Sequence, residues 1–409
     1  MIVGAGECGA RAAIALREQG FTGSLVLVGD EIYAPYERPP LSKNALIAPE
    51  EPLPTTIIAP DKLTALSIGF LSGKRAQTID RATQRVELSD GRHLDYDRLL
   101  LATGARARAL PTIGGERALT LRTYPEALKL RSLLVPRARL VVVGAGFVGL
   151  ELAASARQRG CLVTVIEMAE RVMSRLVPAS VAERIAQRHR AAGVDVRCGA
   201  AIARIDGSSS EYRVVLDSGE TLACDLVVAG IGALPNVELA ATAGLSIENG
   251  IRVDETLATS DPAIYAAGDC CSFPHPAYGG RRVRLEAWRG AQDQAAAVAG
   301  NLLGRRRPCD AIPWFWSDQY ELGLQIAGLP GSATTEVVRL RHDGGFIHFG
   351  LDSSMALVAA SGIAEGTGIA RDIRLCQILI SRRITLNPAE LADPAIQLKS
   401  LLTTPSPAR

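Results

Sequence analysis

The chain has 409 residues, too many for one compact core, and its length predicts two or three domains. Hydrophobic residues make up 47% and charged residues 22%, which is typical of a folded protein and excludes a largely disordered chain. The formal net charge of +2 is too small to indicate a nucleic-acid-binding protein.

The eight cysteines form neither a disulfide framework nor a metal-binding pattern. Most are far apart, and the adjacent pair Cys270 and Cys271 has neither the C-x-x-C spacing of redox centres nor a zinc-ligand spacing. We therefore predict reduced thiols, no bound metal and a cytoplasmic location. The longest apolar stretch, 140–156, contains glycines and Glu151 and is shorter than the roughly 20 apolar residues that span a bilayer, so no membrane segment is predicted.

The first predicted strand leads directly into a glycine-rich turn. Ile2 and Val3 precede Gly4, Gly6 and Gly9 in the pattern G-x-G-x-x-G, and a helical pattern follows. The first glycine permits a tight turn, the second lets a pyrophosphate approach the backbone, and the third lets the helix pack close to the strand. The helix N-terminus offers free N–H donors and a partial positive charge to the anion. This segment therefore predicts a dinucleotide site.

Two later strands of this half end in residues suited to a nucleotide. The strand at 24–28 is followed by Asp30, which we predict to hold an adenosine ribose hydroxyl. The strand at 97–101 ends near Gly104, where the chain can leave the sheet beside a nucleotide. A plain strand end with a turn glycine explains the second segment equally well.

A second glycine turn repeats the pattern in the middle of the chain. An all-apolar strand at 140–143 precedes it, and a helix is predicted from 150 onward. The turn consists of Gly144, Ala145, Gly146, Phe147, Val148 and Gly149. One such fingerprint is weak evidence, but two in one chain predict two bound dinucleotides. The simplest assignment is a flavin in one site and the nicotinamide that reduces it in the other.

The residue after the next strand indicates which nicotinamide is used. The strand at 162–166 ends at Glu167, whose carboxylate accepts hydrogen bonds from a free 2'-hydroxyl and repels a 2'-phosphate, which favours NADH. Arg175 argues weakly in the other direction. The strand at 225–229 ends near Gly232, again beside a predicted nucleotide or simply at a turn.

Gly268 and Asp269 follow a strand at 264–267. A carboxylate in this position is suited to accept hydrogen bonds from a sugar-alcohol chain such as the ribityl chain of a flavin. It is equally suited to cap a helix.

These residues resemble the ferredoxin reductases of the putidaredoxin reductase type, which serve bacterial cytochrome P450 systems and aromatic-ring dioxygenases and are related to apoptosis-inducing factor. The resemblance covers nearly the whole chain. Its most specific segments are G-D-E at 29–31, P-Y-E-R-P-P-L-S-K at 35–43, L-R-T at 121–123, I-Y-A-A-G-D at 264–269, P-W-F-W-S-D-Q at 313–319 and L-A-D-P at 391–394.

The resemblance implies an α/β fold with two Rossmann-like domains and a C-terminal α+β domain, an architecture like that of glutathione reductase. The FAD-binding domain would comprise 1–107 and 233–310. The NADH-binding domain, 108–232, would be inserted between these two parts, and the C-terminal domain would comprise 311–409.

The resemblance also implies roles for individual residues. Lys43 would lie beside flavin N5 and pair with Glu151, because a cation there stabilises the anionic reduced flavin. Trp288 would pack near the isoalloxazine, with Trp314, Phe315 and Trp316 forming a flavin-facing wall or an ordinary aromatic core. The other FAD contacts implied are Cys8, Arg38, Ala76, Arg122 and Asp269.

The start of the chain departs from the family pattern. Only two residues precede Val3, which predicts a short first strand and weaker FAD retention. Cys8 occupies a position often held by a small residue, and its location at a helix N-terminus predicts a lowered pKa for its thiol.

The resemblance implies an enzyme that takes hydride from NADH and passes single electrons to a 2Fe-2S ferredoxin. Another acceptor, such as a quinone, rubredoxin or monodehydroascorbate, and an FAD- and NADH-binding sensor without turnover remain alternatives. A thiol-dependent disulfide or NADH-oxidase reaction is disfavoured because no cysteine lies between Cys8 and Cys161.

An acidic ferredoxin would be attracted by arginine clusters, although such runs are also ordinary solvated surface. The candidates are Arg281, Arg282, Arg284, Arg305, Arg306, Arg307, Arg382 and Arg383. The sequence leaves open whether the protein is a monomer or a homodimer.

Overall fold

The computed structural model describes residues 1–208 and 211–403, and these residues form two compact units. The first unit consists of Met1–Arg38, Pro54–Arg106 and Ala233–Ala311. The second consists of Pro39–Leu53, Ala107–Gly232 and Ile312–Arg409, as far as these ranges are described.

The described residues form the following strands and helices, numbered in chain order. The strands are β1 (Ile2–Val3), β2 (Val26–Val28), β3 (Gly69–Leu71), β4 (Ala76–Asp80), β5 (Arg85–Leu88), β6 (His93–Asp95), β7 (Leu99–Leu101), β8 (Ala105–Ala107), β9 (Arg139–Val143), β10 (Leu162–Glu167), β11 (Asp195–Cys198), β12 (Ile202–Ser208), β13 (Glu211–Leu216), β14 (Thr221–Cys224), β15 (Leu226–Ala229), β16 (Ala233–Pro235), β17 (Ile251–Arg252), β18 (Ile264–Ala266), β19 (Cys271–His275), β20 (Arg281–Val283), β21 (Trp314–Gln319), β22 (Leu322–Gly328), β23 (Thr335–Leu340), β24 (Phe346–Leu351) and β25 (Leu357–Glu365). The α-helices are α1 (Glu7–Glu18), α2 (Asn44–Ile47), α3 (Pro60–Ala65), α4 (Tyr124–Leu133), α5 (Phe147–Gln158), α6 (Ala179–Ala191), α7 (Glu238–Thr242), α8 (Trp288–Leu302), α9 (Ala370–Arg382) and α10 (Pro388–Ala392).

The core of the first unit is a parallel sheet in the order β18-β7-β1-β2-β3. Strand β1 has only two residues, as its position near the chain start predicts, yet it is the central strand and pairs on both sides. Helix α1 connects β1 to β2 and packs against α8. The three leucines of β7 are fully buried, which explains why this strand is an unbroken apolar run.

The second unit contains a second parallel sheet, in the order β11-β10-β9-β15. Helix α5 connects β9 to β10 in the same way that α1 connects β1 to β2. A separate antiparallel sheet, β12-β13-β14, follows β11 in the chain. Two Rossmann-like βαβ arrangements are therefore present, one in each unit, as the repeated glycine pattern predicts.

The C-terminal part of the second unit is an antiparallel sheet in the order β21-β22-β25-β24-β23, with α9 packed on β22 and β25. Gly362 on β25 permits this packing, because a Cβ there would lie 2.3 Å from Cγ1 of Ile369. This α+β arrangement completes the predicted fold class, which the structure confirms.

The described residues contain neither a disulfide nor a helix that could span a membrane. All eight cysteines are free; seven are buried, and Cys198 at the end of β11 is partly exposed. Every helix in the described ranges is too short or too polar to cross a membrane. Those ranges also contain no group of three or more His, Cys, Asp or Glu side chains arranged to hold a metal ion.

Buried His189 on α6 makes the stability of the protein depend on pH. Burial lowers the pKa of His189 to about 4, whereas an unfolded chain binds this proton near a pKa of about 6.5. As the pH falls through that window only the unfolded state gains the proton, so the free energy of unfolding should fall by up to about 3 kcal/mol. Denaturant titrations between these pH values measure the decrease.

The matched variant for this measurement is His189→Gln, which cannot take up the proton. Its pH slope should be shallower than that of the unsubstituted chain but not zero, because burial also lowers the pKa of His275 and His348. Identical slopes for the variant and the unsubstituted chain would contradict the assignment to His189.

Candidate active site

Two glycines of the first turn are required by the fold of the first unit itself. Gly4 has a φ of +108°, and a Cβ there would lie 2.1 Å from the carbonyl oxygen of Ala102. A Cβ on Gly9 would lie 1.8 Å from the carbonyl oxygen of Gly4, because α1 packs closely on the end of β1. No larger residue fits either position without moving the backbone.

Gly6 differs, because no described residue of the protein requires a glycine there. Its φ of −78° suits any residue, and no atom of the described residues outside this turn lies within 4 Å of the place where its Cβ would stand. It is the N-cap of α1 and makes no side-chain capping hydrogen bond, so the first amides of the helix are not satisfied by a capping side chain. The absence of a side chain here fits a pyrophosphate that lies against the backbone.

Two buried polar atoms next to this turn also fit a site that a bound group completes. Oε2 of Glu7 and Nε2 of Gln294 have no hydrogen-bond partner among the described residues. Oε1 of Glu7 accepts hydrogen bonds from Arg11 and Gln292, and Oε1 of Gln294 accepts one from the Gly268 amide at 2.8 Å. Leaving a buried polar atom unsatisfied costs about 1–3 kcal/mol, so such atoms indicate a missing partner.

Cys8 is buried at the start of α1, and the expectation of a lowered thiol pKa is wrong. Burial raises the pKa of Cys8 well above its usual range, and the nearby thiol of Cys270 and carboxylate of Asp269 act in the same direction. Gly268 has a φ of +85°, and a Cβ there would lie 3.0 Å from Cβ of Cys8. The thiol is therefore protonated and serves as a small core side chain.

The carboxylates after β2 have different environments. Asp30 is exposed, so its carboxylate is accessible to a ribose hydroxyl. Glu31, which was not among the predicted cofactor-binding residues, accepts hydrogen bonds from the Tyr36 hydroxyl at 2.6 Å and from Arg38 Nη2 at 2.9 Å. The guanidinium of Arg38 is thus oriented by Glu31 within the first unit.

The second turn repeats the geometry of the first in the second unit. Gly144 has a φ of +98° and would place a Cβ 2.6 Å from the carbonyl oxygen of Gly230. A Cβ on Gly149 would lie 2.1 Å from the carbonyl oxygen of Gly144. Gly146 again has an ordinary φ of −82°, no atom within 4 Å of its Cβ position and no side-chain cap. This turn therefore also fits a pyrophosphate.

Glu167 at the end of β10 is held beside the second turn. Its Oε2 accepts a hydrogen bond from the Ala145 amide at 2.8 Å, and its Oε1 accepts one from the Ala169 amide at 2.9 Å. The carboxylate is therefore fixed next to the glycines, where it suits a ribose 2'-hydroxyl and repels a 2'-phosphate. Arg175 is exposed in the loop before α6.

Lys43 and Glu151 form an ion pair in the second unit. Lys43 follows a 3-10 helix, Pro39–Ser42, and Glu151 lies on the buried face of α5. Nζ of Lys43 lies 2.9 Å from Oε1 of Glu151, and 23% of the lysine side chain is exposed against 6% of the glutamate. The buried carboxylate holds the Lys43 ammonium in place, and the partly exposed ammonium can also contact a bound group.

Two hydroxyls and an indole ring complete the surroundings of this pair. Ser317 Oγ donates to Oε1 of Glu151 at 2.7 Å, and Ser42 Oγ donates to Oε2 at 2.5 Å. The carboxylate thus accepts from three donors, one of which is the Lys43 ammonium. The Trp316 ring centroid lies 5.7 Å from the Lys43 ammonium, and Trp314 stacks on Trp316 with centroids 5.2 Å apart.

The remaining predicted cofactor residues are distributed over both units. In the first unit, Ala76 begins β4, Gly104 has a φ of +65°, Asp269 follows Gly268, and Trp288 begins α8. In the second unit, the Arg122 amide donates to Glu126 just before α4, Gly232 has a φ of +99°, and Val148 is 44% exposed next to half-buried Phe147.

Only some of the arginines predicted to attract a ferredoxin have exposed side chains. Arg282 donates to the Val253 carbonyl oxygen at 2.8 Å and to that of Ser272, and Arg284 pairs with Glu286. Arg383 lies 3.3 Å from Asp352. Those with exposed side chains are Arg281, Arg305, Arg306, Arg307, Arg382 and Arg383.

Comparison with known proteins identifies the family of the chain. Residues 1–295 match the pyridine nucleotide-disulphide oxidoreductase family, and residues 314–402 match the family described as reductase C-terminal. The ferredoxin–NAD(+) reductase component of the anthranilate 1,2-dioxygenase system of Burkholderia cepacia is 40% identical over 98% of this chain and 98% of its own length.

Solved structures give the same result. A ferredoxin reductase for the CYP199A2 system of Rhodopseudomonas palustris superposes with a TM-score of 0.93 and 37% identity, over 98% of this chain and 99% of that one. Putidaredoxin reductase, solved as a covalent complex with putidaredoxin, gives a TM-score of 0.91 and 38% identity, over 98% and 97%. The chain therefore belongs to the ferredoxin reductases of the pyridine nucleotide-disulphide oxidoreductase family, and it is a flavoprotein oxidoreductase whose cofactors are FAD and NADH.

Proposed function

We propose that this protein takes hydride from NADH and passes electrons singly to a 2Fe-2S ferredoxin that serves a cytochrome P450 or a Rieske-type oxygenase. When bound, FAD supplies a carrier that accepts two electrons together and releases them one at a time. The observation that carries the proposal is the pair of glycine turns, each open above its second glycine. Its relatives include ferredoxin reductases of both oxygenase classes, which supports the choice of acceptor.

The residues are assigned between the two cofactors as follows. FAD is held by an FAD-binding domain of 1–107 and 233–310, through Gly4, Gly6, Cys8, Gly9, Asp30, Arg38, Lys43, Ala76, Gly104, Gly268, Asp269 and Trp288, with a further contact from Arg122 in 108–232. NADH is held by 108–232, through Gly144, Gly146, Phe147, Val148, Gly149, Glu167, Arg175 and Gly232. The buried thiol of Cys8 contributes packing rather than chemistry.

The chemical roles fall to Lys43, Glu151 and Trp288. Lys43 presents a cation whose position Glu151 fixes at 2.9 Å, and this cation stabilises negative charge on a reduced flavin. Trp288 supplies an aromatic surface for the isoalloxazine. No acid or base is needed for hydride transfer itself, so these residues orient and stabilise rather than exchange protons.

The thiols of the chain argue against a disulfide-type reaction. No cysteine stands between Cys8 and Cys161 in the sequence, and burial raises the pKa of both thiols. A thiol nucleophile needs a lowered pKa and access to its substrate. The eight free cysteines also fit the cytoplasm, the location that we propose.

Anaerobic rapid mixing with NADH tests the reductive half of the proposal. The purified protein should be yellow, and its flavin absorbance should be bleached on the time scale of rapid mixing with NADH. Steady-state reduction of a panel of ferredoxins, quinones and artificial dyes then identifies the acceptor. A protein that is not bleached by NADH, or that reduces a quinone but no ferredoxin, would refute the corresponding half of the proposal.

Replacing Lys43 by methionine should slow flavin reduction by NADH by about 100-fold, the usual cost of losing one electrostatic contact to a charged transition state. Methionine keeps most of the side-chain volume but removes the cation. Rapid-mixing rates at saturating NADH measure the effect, and Lys129→Met on α4 is the control. Equal rates for Lys43→Met and the unsubstituted protein would remove Lys43 from the chemistry.

An acidic ferredoxin should dock through the exposed arginines Arg305, Arg306 and Arg307. Reversing two of them, Arg305→Glu and Arg306→Glu, should lower kcat/KM for the ferredoxin by tenfold or more at low salt, and the loss should shrink as salt screens the charges. Flavin bleaching by NADH should not change. Arg213→Glu, at an exposed position of β13, provides the same type of charge change as a control. An unaltered kcat/KM would exclude this docking surface.

A further inference from the structure

The Lys43–Glu151 pair is the end of a longer buried chain of hydrogen bonds in the second unit. Ser317 Oγ, which donates to Glu151, accepts from Nε2 of Gln319 at 3.0 Å. Oε1 of Gln319 lies 2.8 Å from Nε2 of His189, and Nδ1 of His189 lies 3.4 Å from the Tyr320 hydroxyl. These side chains lie on α5, β21 and α6 and in the turn after β21, so the chain runs through the interior of the unit.

The direction of every hydrogen bond in the chain is determined by its neighbours. Ser317 has one hydroxyl proton, which it donates to the carboxylate of Glu151, so its oxygen must accept from Gln319. The amide of Gln319 therefore turns its NH₂ toward Ser317 and its oxygen toward His189. Because that oxygen can only accept, Nε2 of His189 must carry a proton.

The other ring nitrogen of His189 follows from burial. Burial lowers the pKa of His189 to about 4, so the ring is neutral near pH 7 and Nδ1 is an acceptor. Burial raises the pKa of Tyr320 to about 12, so its hydroxyl keeps the proton and donates it to Nδ1. The donors of all four hydrogen bonds, on Tyr320, His189, Gln319 and Ser317, thus point toward Glu151. Hydrogen bonds aligned in one direction polarise one another, which strengthens the final bond from Ser317 to Glu151.

We propose that Ser317, Gln319 and His189 are positioning residues that hold the Glu151 carboxylate in place and thereby fix the Lys43 ammonium beside the flavin. The part that concerns the flavin rests on the proposed function, whereas the hydrogen-bond chain stands on the geometry alone. His189 does not contact Lys43 directly. Its effect on the position of Lys43 passes through three side chains, those of Gln319, Ser317 and Glu151.

The hydrogen-bond chain orients the side chains that form it and does not conduct protons. A proton could pass Gln319 only if its amide changed to the imidic form, and an amide strongly resists that change. The expected signature is therefore a change in the energy of the reduced flavin, not a new proton-coupled step in the pH profile.

The experiment compares variants of the FAD-loaded protein by redox titration against reference dyes. Gln319→Leu and His189→Leu interrupt the chain and should make flavin reduction less favourable by about tenfold, which is about 30 mV for a two-electron couple. His189→Gln can still donate to Gln319 and should restore the potential of the unsubstituted protein. Ser317→Ala tests the same link with the loss of a single oxygen, should Gln319→Leu fail to fold.

A second readout does not depend on the flavin. Nitrogen-15 NMR of the histidine rings should show His189 protonated at Nε2 in the unsubstituted protein, with or without FAD, and should show this tautomer lost or mixed in Gln319→Leu. Unchanged potentials in the interrupting variants, or equal losses in His189→Gln and His189→Leu, would overturn the proposal.

These outcomes are separate from those of the proposed function. A colourless protein, or one that NADH does not bleach, would refute the function, but the His189 tautomer would still decide whether the chain is directed as described. A protein that is bleached normally but shows a His189 ring protonated at Nδ1 would refute only the chain.

Discussion

A Gly6→Ala protein is expected to fold like the unsubstituted chain but to lose its FAD. The φ of −78° suits alanine, and no atom of the described residues, apart from the neighbours of Gly6 in the chain, lies within 4 Å of the added methyl group. The methyl would stand at the first amides of α1, where the pyrophosphate is expected. Losing two hydrogen bonds to a charged group costs about 3–6 kcal/mol, which lowers affinity by about 100-fold or more.

Visible absorbance and circular dichroism measure these two properties of Gly6→Ala independently. The purified variant should be colourless or take up FAD only at high concentration, while its secondary structure and unfolding transition should be unaltered. Gly9→Ala serves as the contrasting variant, because its Cβ would lie 1.8 Å from the Gly4 carbonyl oxygen and should prevent folding. A yellow Gly6→Ala protein with unaltered FAD affinity would show that this turn does not contact the cofactor.

A Gly146→Ala protein should remain yellow but should no longer be bleached at NADH concentrations that suffice for the unsubstituted chain. The reasoning is the same, since Gly146 has a φ of −82° and open space around its Cβ position. The apparent Kd for NADH should rise by about 100-fold or more, whereas FAD content should be unchanged.

The two alanine variants are controls for each other. Titration of the bleaching amplitude with NADH gives the apparent Kd, and a chemical reductant such as dithionite should still bleach Gly146→Ala fully. If Gly146→Ala lost FAD, or if Gly6→Ala kept FAD and lost only the response to NADH, the assignment of the turns to the two cofactors would be reversed.

Features fixed by neighbours in the sequence could be predicted from the sequence. Both glycine turns, the helices after them and the carboxylate at Glu167 depend on residues that are close together in the chain. The fold class followed from these segments together with the family resemblance. The pairing of Lys43 with Glu151, 108 positions apart, came from the resemblance alone, and the structure places the two atoms 2.9 Å apart.

Features that depend on distant packing could not be predicted. Ser317 lies 166 residues from Glu151 in the sequence, and Gln319 lies 130 residues from His189, yet each pair shares a buried hydrogen bond. No local pattern marks such partners. Cys8 shows the same difficulty, because its helix position indicated a lowered pKa, whereas the burial that raises the pKa comes from other segments.

The single partly exposed thiol has a practical consequence for spectroscopy. Seven cysteines are shielded, and Cys198 ends β11, the edge strand of the parallel sheet in the second unit. Because burial raises the pKa of the Cys198 thiol, a maleimide dye or a spin label applied to the native protein at mildly alkaline pH should attach at this one position without removal of the other cysteines. Such a probe would report from the second unit while a bound flavin reports its own oxidation state.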